Sequence, residues 1–153
     1  ERLEPEDHWS AQEEIQVPLA DVKGSFDKLG LLDERVHFVE GFFNVSLPQL
    51  RVGSSMSQIS VLRIDADMYE GYMDVFFNLY DYVAVGGFII ADDFGIYVAQ
   101  IACLDFRRWH NITAQIWQVD EWAVYWQKEH MEPVQFHIYD YLRAHRLTDQ
   151  QER

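Results

Sequence analysis

A chain of 153 residues is long enough for one domain with a sizeable core, and 48% hydrophobic and 15% aromatic residues supply the side chains to build it. Its 26 acidic against 12 basic residues leave a formal charge of -14, with no basic cluster able to track a phosphate backbone, which argues against nucleic acid and membrane surfaces as partners. No apolar run approaches the roughly 20 residues a bilayer demands, and the amino terminus "ERLEPEDHW" is unlike a signal peptide, so the expectation is a soluble, cytoplasmic protein whose single Cys103 is a buried structural residue.

Residues 1–16 are polar, highly charged and aperiodic, and read as an arm or connection ahead of a domain spanning 17–153. Pro18 suits a first helical turn, Leu19, Val22, Phe26 and Leu29 recur at helical spacing, and Gly30 is a natural stop, which predicts an amphipathic helix. Residues 35–40, "RVHFVE", predict a short strand, and "FFNVSLPQL" a loop or short helix before the polar gap "RVGSSMSQ". Residues 59–64 predict the next strand, and 69–83 a helix with Tyr72, Phe76, Leu79 and Val83 on one face, ended by Gly86-Gly87. A strand over 88–91, a helix over 96–109 and two closing strands, "AQIWQV" and "AVYWQK", follow, and the tail "FHIYDYLRAHRL" fits strand or helix. This rhythm predicts an α/β protein with a mainly parallel sheet.

Two of these strands end in acid: "VLRIDADMYEG" and "GFIIADDFG". In an open parallel sheet the carboxyl ends of the strands share the edge where ligands bind, so Asp65, Asp92 and Asp93 converge if the two strands are neighbours. Three carboxylates in one cleft repel one another unless a cation compensates, and hard oxygen donors suit Mg²⁺, Ca²⁺ or Mn²⁺. No Cys and His cluster has zinc spacing. The alternative is helix capping, by Asp67 before "MYEG" and by Asp93 before "FGIY". Paired acids at successive strand ends favour the metal, because a cap needs one carboxylate.

"RVHFVEGFF", then "SLP", then "VLRIDADMYEGYMDVFFNLYDYVAVGGFIIADDFG", then "DFRRWHNI" and "VYWQK" together resemble the macrocin O-methyltransferase family of S-adenosylmethionine enzymes, over about residues 9–128. The resemblance implies a class I methyltransferase (Rossmann-like) fold and metal-dependent methylation of a small-molecule acceptor at a hydroxyl, a sugar hydroxyl in natural product biosynthesis. It places Mg²⁺ or another divalent cation on Asp65, Asp92 and Asp93, with Asp67 supporting or orienting the ligands. Asp65 is the first candidate for the base that takes the hydroxyl proton while the oxygen attacks the sulfonium methyl group in line. Glu40, Gly41, Phe42 and Phe43 lie where such folds hold the adenine of the cofactor, with ordinary core burial of the two rings as the alternative. Trp122, Tyr125 and Trp126 edge an acceptor pocket or pack in the core, and His37 and His110 read as structural or surface residues.

In that fold the first strand with its glycine-rich turn, and the acid ending the second strand, hold the methyl donor. Neither precedes the first helix here, and the chain has no G-x-G. With the strand order 3-2-1-4-5-7-6, "RVHFVE" and "ISVLRI" would stand about 14 Å apart, three strand spacings. The expected fold is therefore an α/β, incomplete class I sheet lacking its first two strands, with a carboxyl-terminal antiparallel strand pair. Such a chain re-pairs its strands, borrows strands from a second copy through homo-oligomer formation or strand exchange, or is the carboxyl half of a longer protein. S-adenosylmethionine then binds only if the missing strands are supplied. Two other functions stay open: a truncated, non-catalytic metal-binding or interaction module, and a metal-dependent glycosyltransferase, whose D-x-D "RIDADMY" also resembles.

Overall fold

The computed structural model describes residues 17–53 and 57–151, so the predicted arm over 1–16 lies outside the described residues. The chain divides into two compact units, Glu1–Glu40 and Gly41–Arg153. In the first, α1 (Leu19–Lys28) forms where the apolar spacing predicts it, with Asp21 in its first turn and Lys28 in its last, the signs the helix dipole favours. Phe26 meets Phe38 edge-on with ring centres 5.5 Å apart. The strand expected over 35–40 does not form: a strand needs a neighbour for its N–H and C=O groups, and none of the described residues pairs with this segment.

The second unit runs α2 (Phe43–Gly53), β1 (Ile59–Ile64), α3 (Tyr69–Leu79), a 3-10 turn (Tyr80–Tyr82), β2 (Val83–Ala91), α4 (Tyr97–Trp109), β3 (Trp117–Gln118), β4 (Val124–Gln127) and α5 (Phe136–Gln151). "FFNVSLPQL" is thus helical, with Pro48 inside α2, and the ambiguous tail is helix. The sheet is mixed, in the order β1-β2-β4-β3: β1 and β2 are parallel, β4 is antiparallel to β2, and β3 is antiparallel to β4. The expected antiparallel pair is present, although β3 keeps only two residues of "AQIWQV".

The helix expected to reach Val83 stops at Leu79, and β2 begins at Val83. Gly86-Gly87 therefore end no helix; they lie inside the strand. Ile59 faces Val83 while Val61 faces Phe88, so extra residues bulge from β2, and Gly86 takes a φ of +88° that a side chain would strain.

α3 is buried from Tyr72 to Asn78, almost all round, because it lies among α2, α4 and α5 and shares its core with the sheet. Phe76 stacks on Phe106 with centres 4.5 Å apart, and Phe77 meets Phe106 edge-on at 5.4 Å. Leu62, Ile64, Ile89, Ala91, Val124 and Trp126 turn into this core. The alternate positions, among them Val61, Phe88 and Trp117, occupy the other face of the sheet and are exposed. Cys103 is buried, as expected, and burial pushes its thiol well above the usual range.

Candidate metal centre

Parallel pairing sets Ile64 beside Ala91, and the Asp92 N–H donates to the Ile64 carbonyl at 2.9 Å, carrying the ladder one step further. Asp65 and Asp92 therefore leave neighbouring strands side by side, although 27 positions separate them (92 minus 65). One oxygen from each of Asp65, Asp92 and Asp93 lies within 4.8 Å of the others, with Asp65 exposed and the other two half-buried. The structure thus brings together the trio that the sequence singles out.

Neither Asp67 nor Asp93 caps a helix. The N-cap residues are Met68 and Ile96, and neither makes a side-chain cap hydrogen bond. The Asp93 carboxylate instead holds the turn after β1: its Oδ2 accepts from the Ala66 N–H at 3.0 Å and the Asp67 N–H at 3.1 Å. Tyr72 Oη lies 3.2 Å from both that oxygen and the Ile64 carbonyl, and accepts from the Asp93 N–H at 3.1 Å. Burial pushes the Tyr72 phenol up, so it stays a proton donor here. Asp67 takes a φ of +53°, a left-handed conformation aspartate tolerates better than most residues. Burial, then the charges of Asp93 and Asp65, raise its carboxyl pKa, as expected where acids gather.

Arg63 was not singled out by the sequence. Its Nη2 lies 2.9 Å from Asp65 Oδ2 and 2.6 Å from Asp92 Oδ2, and its Nε donates to Asp92 Oδ1 at 3.2 Å. Burial pulls its pKa down, but the hydrogen bonds and charges of the two aspartates outweigh this and the net shift is upward. The available signal was its position two residues before Asp65, which puts both on one face of an extended strand. Three carboxylates, one fixed by backbone donors and two already bridged by a cationic nitrogen, suit a divalent cation in charge and in donor type.

A cavity of about 340 Å³ opens directly after Asp93 in the chain, lined by Phe94, Gly95, Gln100, Gln118, Asp120 and Trp122 among others. Asp120 shapes its rim by accepting from the Trp122 and Ala123 N–H groups, both at 2.8 Å. Trp122 is 59% exposed, whereas Trp126 is fully buried and Tyr125 half-buried, so of these three only Trp126 packs in the core and only Trp122 lines the cavity. Glu40 ends one unit and Gly41, Phe42 and Phe43 open the next, and Phe42 and Phe43 are exposed, which overturns core burial for both rings. His37 is exposed and His110 buried.

The family model described as Macrocin-O-methyltransferase matches residues 3–128. The chain is 35% identical over 113 residues to the 8-demethyl-8-(2,3-dimethoxy-alpha-L-rhamnosyl)-tetracenomycin-C 4'-O-methyltransferase of Streptomyces olivaceus, covering 74% of this chain and 42% of that protein. It is 35% identical over 115 residues to the mycinamicin III 3''-O-methyltransferase of Micromonospora griseorubida, covering 75% and 44%. Among solved structures, the O-methyltransferase NovP matches with a TM-score of 0.69 at 34% identity, over 74% of this chain and 46% of NovP. CalS11, a TDP-rhamnose 3'-O-methyltransferase, shares the fold with a TM-score of 0.60 at 18% identity, over 76% and 55%. The chain spans less than half the length of the curated relatives it matches. With an α/β fold shared with these enzymes and a family match over most of its length, the chain belongs to the macrocin O-methyltransferase family.

Proposed function

We propose that this chain is the metal- and acceptor-binding part of an S-adenosylmethionine-dependent O-methyltransferase that methylates a sugar hydroxyl on a natural product. The observation that carries the reading is the convergence of Asp65, Asp92 and Asp93 at the carboxyl edge of the parallel pair β1–β2. These three would hold a divalent cation, which supplies a Lewis acid that lowers the pKa of an acceptor hydroxyl. Asp65, the exposed member, takes the hydroxyl proton. Asp93 keeps the turn behind that base in place through Ala66 and Asp67, and Asp67 supports the site from the same turn. Trp122 presents an exposed ring to the C–H face of a sugar, and Gln100 and Gln118 line the same cavity as partners for its hydroxyls. A rhamnosyl group in one relative's name supports a deoxysugar acceptor.

The order β1-β2-β4-β3 supports reading this sheet as the 4-5-7-6 half of the expected class I sheet. We place the strands that hold the methyl donor against the outer edge of β1 and the apolar face that exposes Val61 and Phe88, and the adenine end of the donor against Glu40, Gly41, Phe42 and Phe43. A longer chain or a second copy supplies them. A non-catalytic metal-binding module is the second reading, which needs only the cluster of Asp65, Asp92 and Asp93. The family match includes the D-x-D stretch itself, which leaves the glycosyltransferase alternative without independent support.

Transfer of labelled methyl from S-adenosylmethionine to a rhamnoside, with Mg²⁺ and with chelator, tests the proposal. With the donor-holding strands supplied, it predicts a labelled methyl ether with Mg²⁺ that falls about 100-fold or more in Asp65→Asn. No label transfer by that assembly would contradict the proposal and favour the binding module.

A further inference from the structure

The acidic trio divides into two kinds of member. Asp93 is anchored: its Oδ2 is held by two backbone N–H groups. Asp65 and Asp92 are joined instead through one solvent-exposed group, the Arg63 guanidinium. A single nitrogen, Nη2, lies within hydrogen-bond reach of Oδ2 on both, at 2.9 Å and 2.6 Å, where a cation shared by the two would sit. Arg63 stands on the sheet face opposite the core, beside the exposed Val61, and its side chain is 53% exposed. It can therefore swing into solvent at little desolvation cost. A divalent ion on the same carboxylates would meet a like charge a few ångströms away, and both cations would compete for the lone pairs of Asp65 and Asp92.

We propose that Arg63 is an internal counter-cation of the trio, holding Asp65 and Asp92 together in the metal-free chain and releasing them as a divalent cation is taken up. This rests on the reading of the trio as a metal site. It gives Arg63 a definite role: it suppresses carboxylate repulsion before the metal arrives and sets the affinity threshold at which the metal enters. Arg63 is a positioning residue: it acts through Asp65 and Asp92.

Calorimetric titration of Mg²⁺ at low salt into the unmodified chain, Arg63→Gln and Arg63→Lys tests this. Removing the charge should tighten Mg²⁺ by about tenfold, the repulsion between a unit and a double charge about 6 Å apart in a water-like medium. Arg63→Lys, which keeps the charge, should stay within about twofold of the unmodified chain. Metal-free Arg63→Gln should melt below the unmodified chain, and saturating Mg²⁺ should narrow that gap. A merely structural arginine would give the opposite sign, weaker Mg²⁺ together with lower stability, and that result overturns the proposal. If Arg63→Gln does not fold, the unmodified chain still decides: the Arg63 Nε–H resonance should broaden on Mg²⁺ saturation, and its persistence unchanged overturns the proposal. Heat in every chain with equal affinities refutes the role of Arg63 alone, whereas no Mg²⁺ heat in any chain refutes the metal site beneath it.

Discussion

At Asp93 two demands meet in one carboxyl group: it fastens the turn behind Asp65 and it belongs to the acidic trio, and a carboxylate has lone pairs enough for both. His110 shows a titratable group put to purely structural use. Its Nδ1 donates to the Phe106 carbonyl at 2.8 Å and its Nε2 accepts from the Gln135 N–H at 3.0 Å, so a proton on Nε2 breaks the second bond. Burial lowers its pKa, against the opposing pull of the Phe106 carbonyl, Asp81 and Glu132, while His137 works in the same direction as burial. The unfolded chain therefore binds this proton more readily than the fold does, and the stability His110 contributes is complete above its unfolded pKa of about 6.5 and declines as pH falls below it. Melting temperature should drop between about pH 7 and pH 5.5, with a shallower drop in His110→Gln; a flat profile in the unmodified chain would contradict this assignment. The trio was legible because acid at a strand's carboxyl end is a local pattern that parallel pairing turns into proximity. Arg63 was not, because its partner Asp92 lies 29 positions away and only the strand register reveals it.

At the scale of elements, helical spacing predicted α1, α3 and α4 closely, and its failures were places where tertiary contacts decide. The period of α3 runs on to Val83, but the Tyr80 carbonyl accepts from buried Lys128 Nζ at 2.9 Å, and Asp81 binds Arg51 Nη2 at 2.9 Å and the Val134 N–H at 3.1 Å. Those bonds pin a turn where local sequence would continue the helix. Nor can "RVHFVE" become a strand by propensity alone, since β pairing is a property of two segments. The glycine pair read as a helix stop is a bulge, and its second member has no room for a side chain: a Cβ on Gly87 would fall 2.9 Å from the Ala84 carbonyl oxygen and 3.0 Å from that of Ser60. Gly87→Ala must therefore move backbone in β1 or β2, and should cost about 1–3 kcal/mol in denaturant-derived stability. An unchanged denaturation midpoint would contradict the bulge packing. Because Gly87 lies mid-strand, five positions before Asp92, and makes no part of the acidic trio, Mg²⁺ affinity should change little.

At the scale of the whole molecule, the sheet has one face packed on helices and one that exposes Val61, Phe88 and Trp117, with β1 at an outer edge of the described sheet. An incomplete strand order is the expectation this asymmetry fits, and the chain covers 42% of one curated relative and 46% of NovP. No helix among the described residues is long and apolar enough to cross a membrane. The acceptor's identity was never legible, because cavity shape depends on how the 94–100 segment and the β3–β4 turn fold against each other, as Gly95 does on Trp122. The proposed metal site is different, since two strand ends and one crossover suffice to bring its three carboxylates together. Electron paramagnetic resonance of Mn²⁺ titrated into the chain reads that site directly: the account predicts one bound ion per chain, seen as loss of the free-ion signal, and affinity weakened about tenfold or more when Asp65→Asn and Asp92→Asn are combined. A free-ion signal undiminished by the unmodified chain, or equal binding by the double variant, would contradict it.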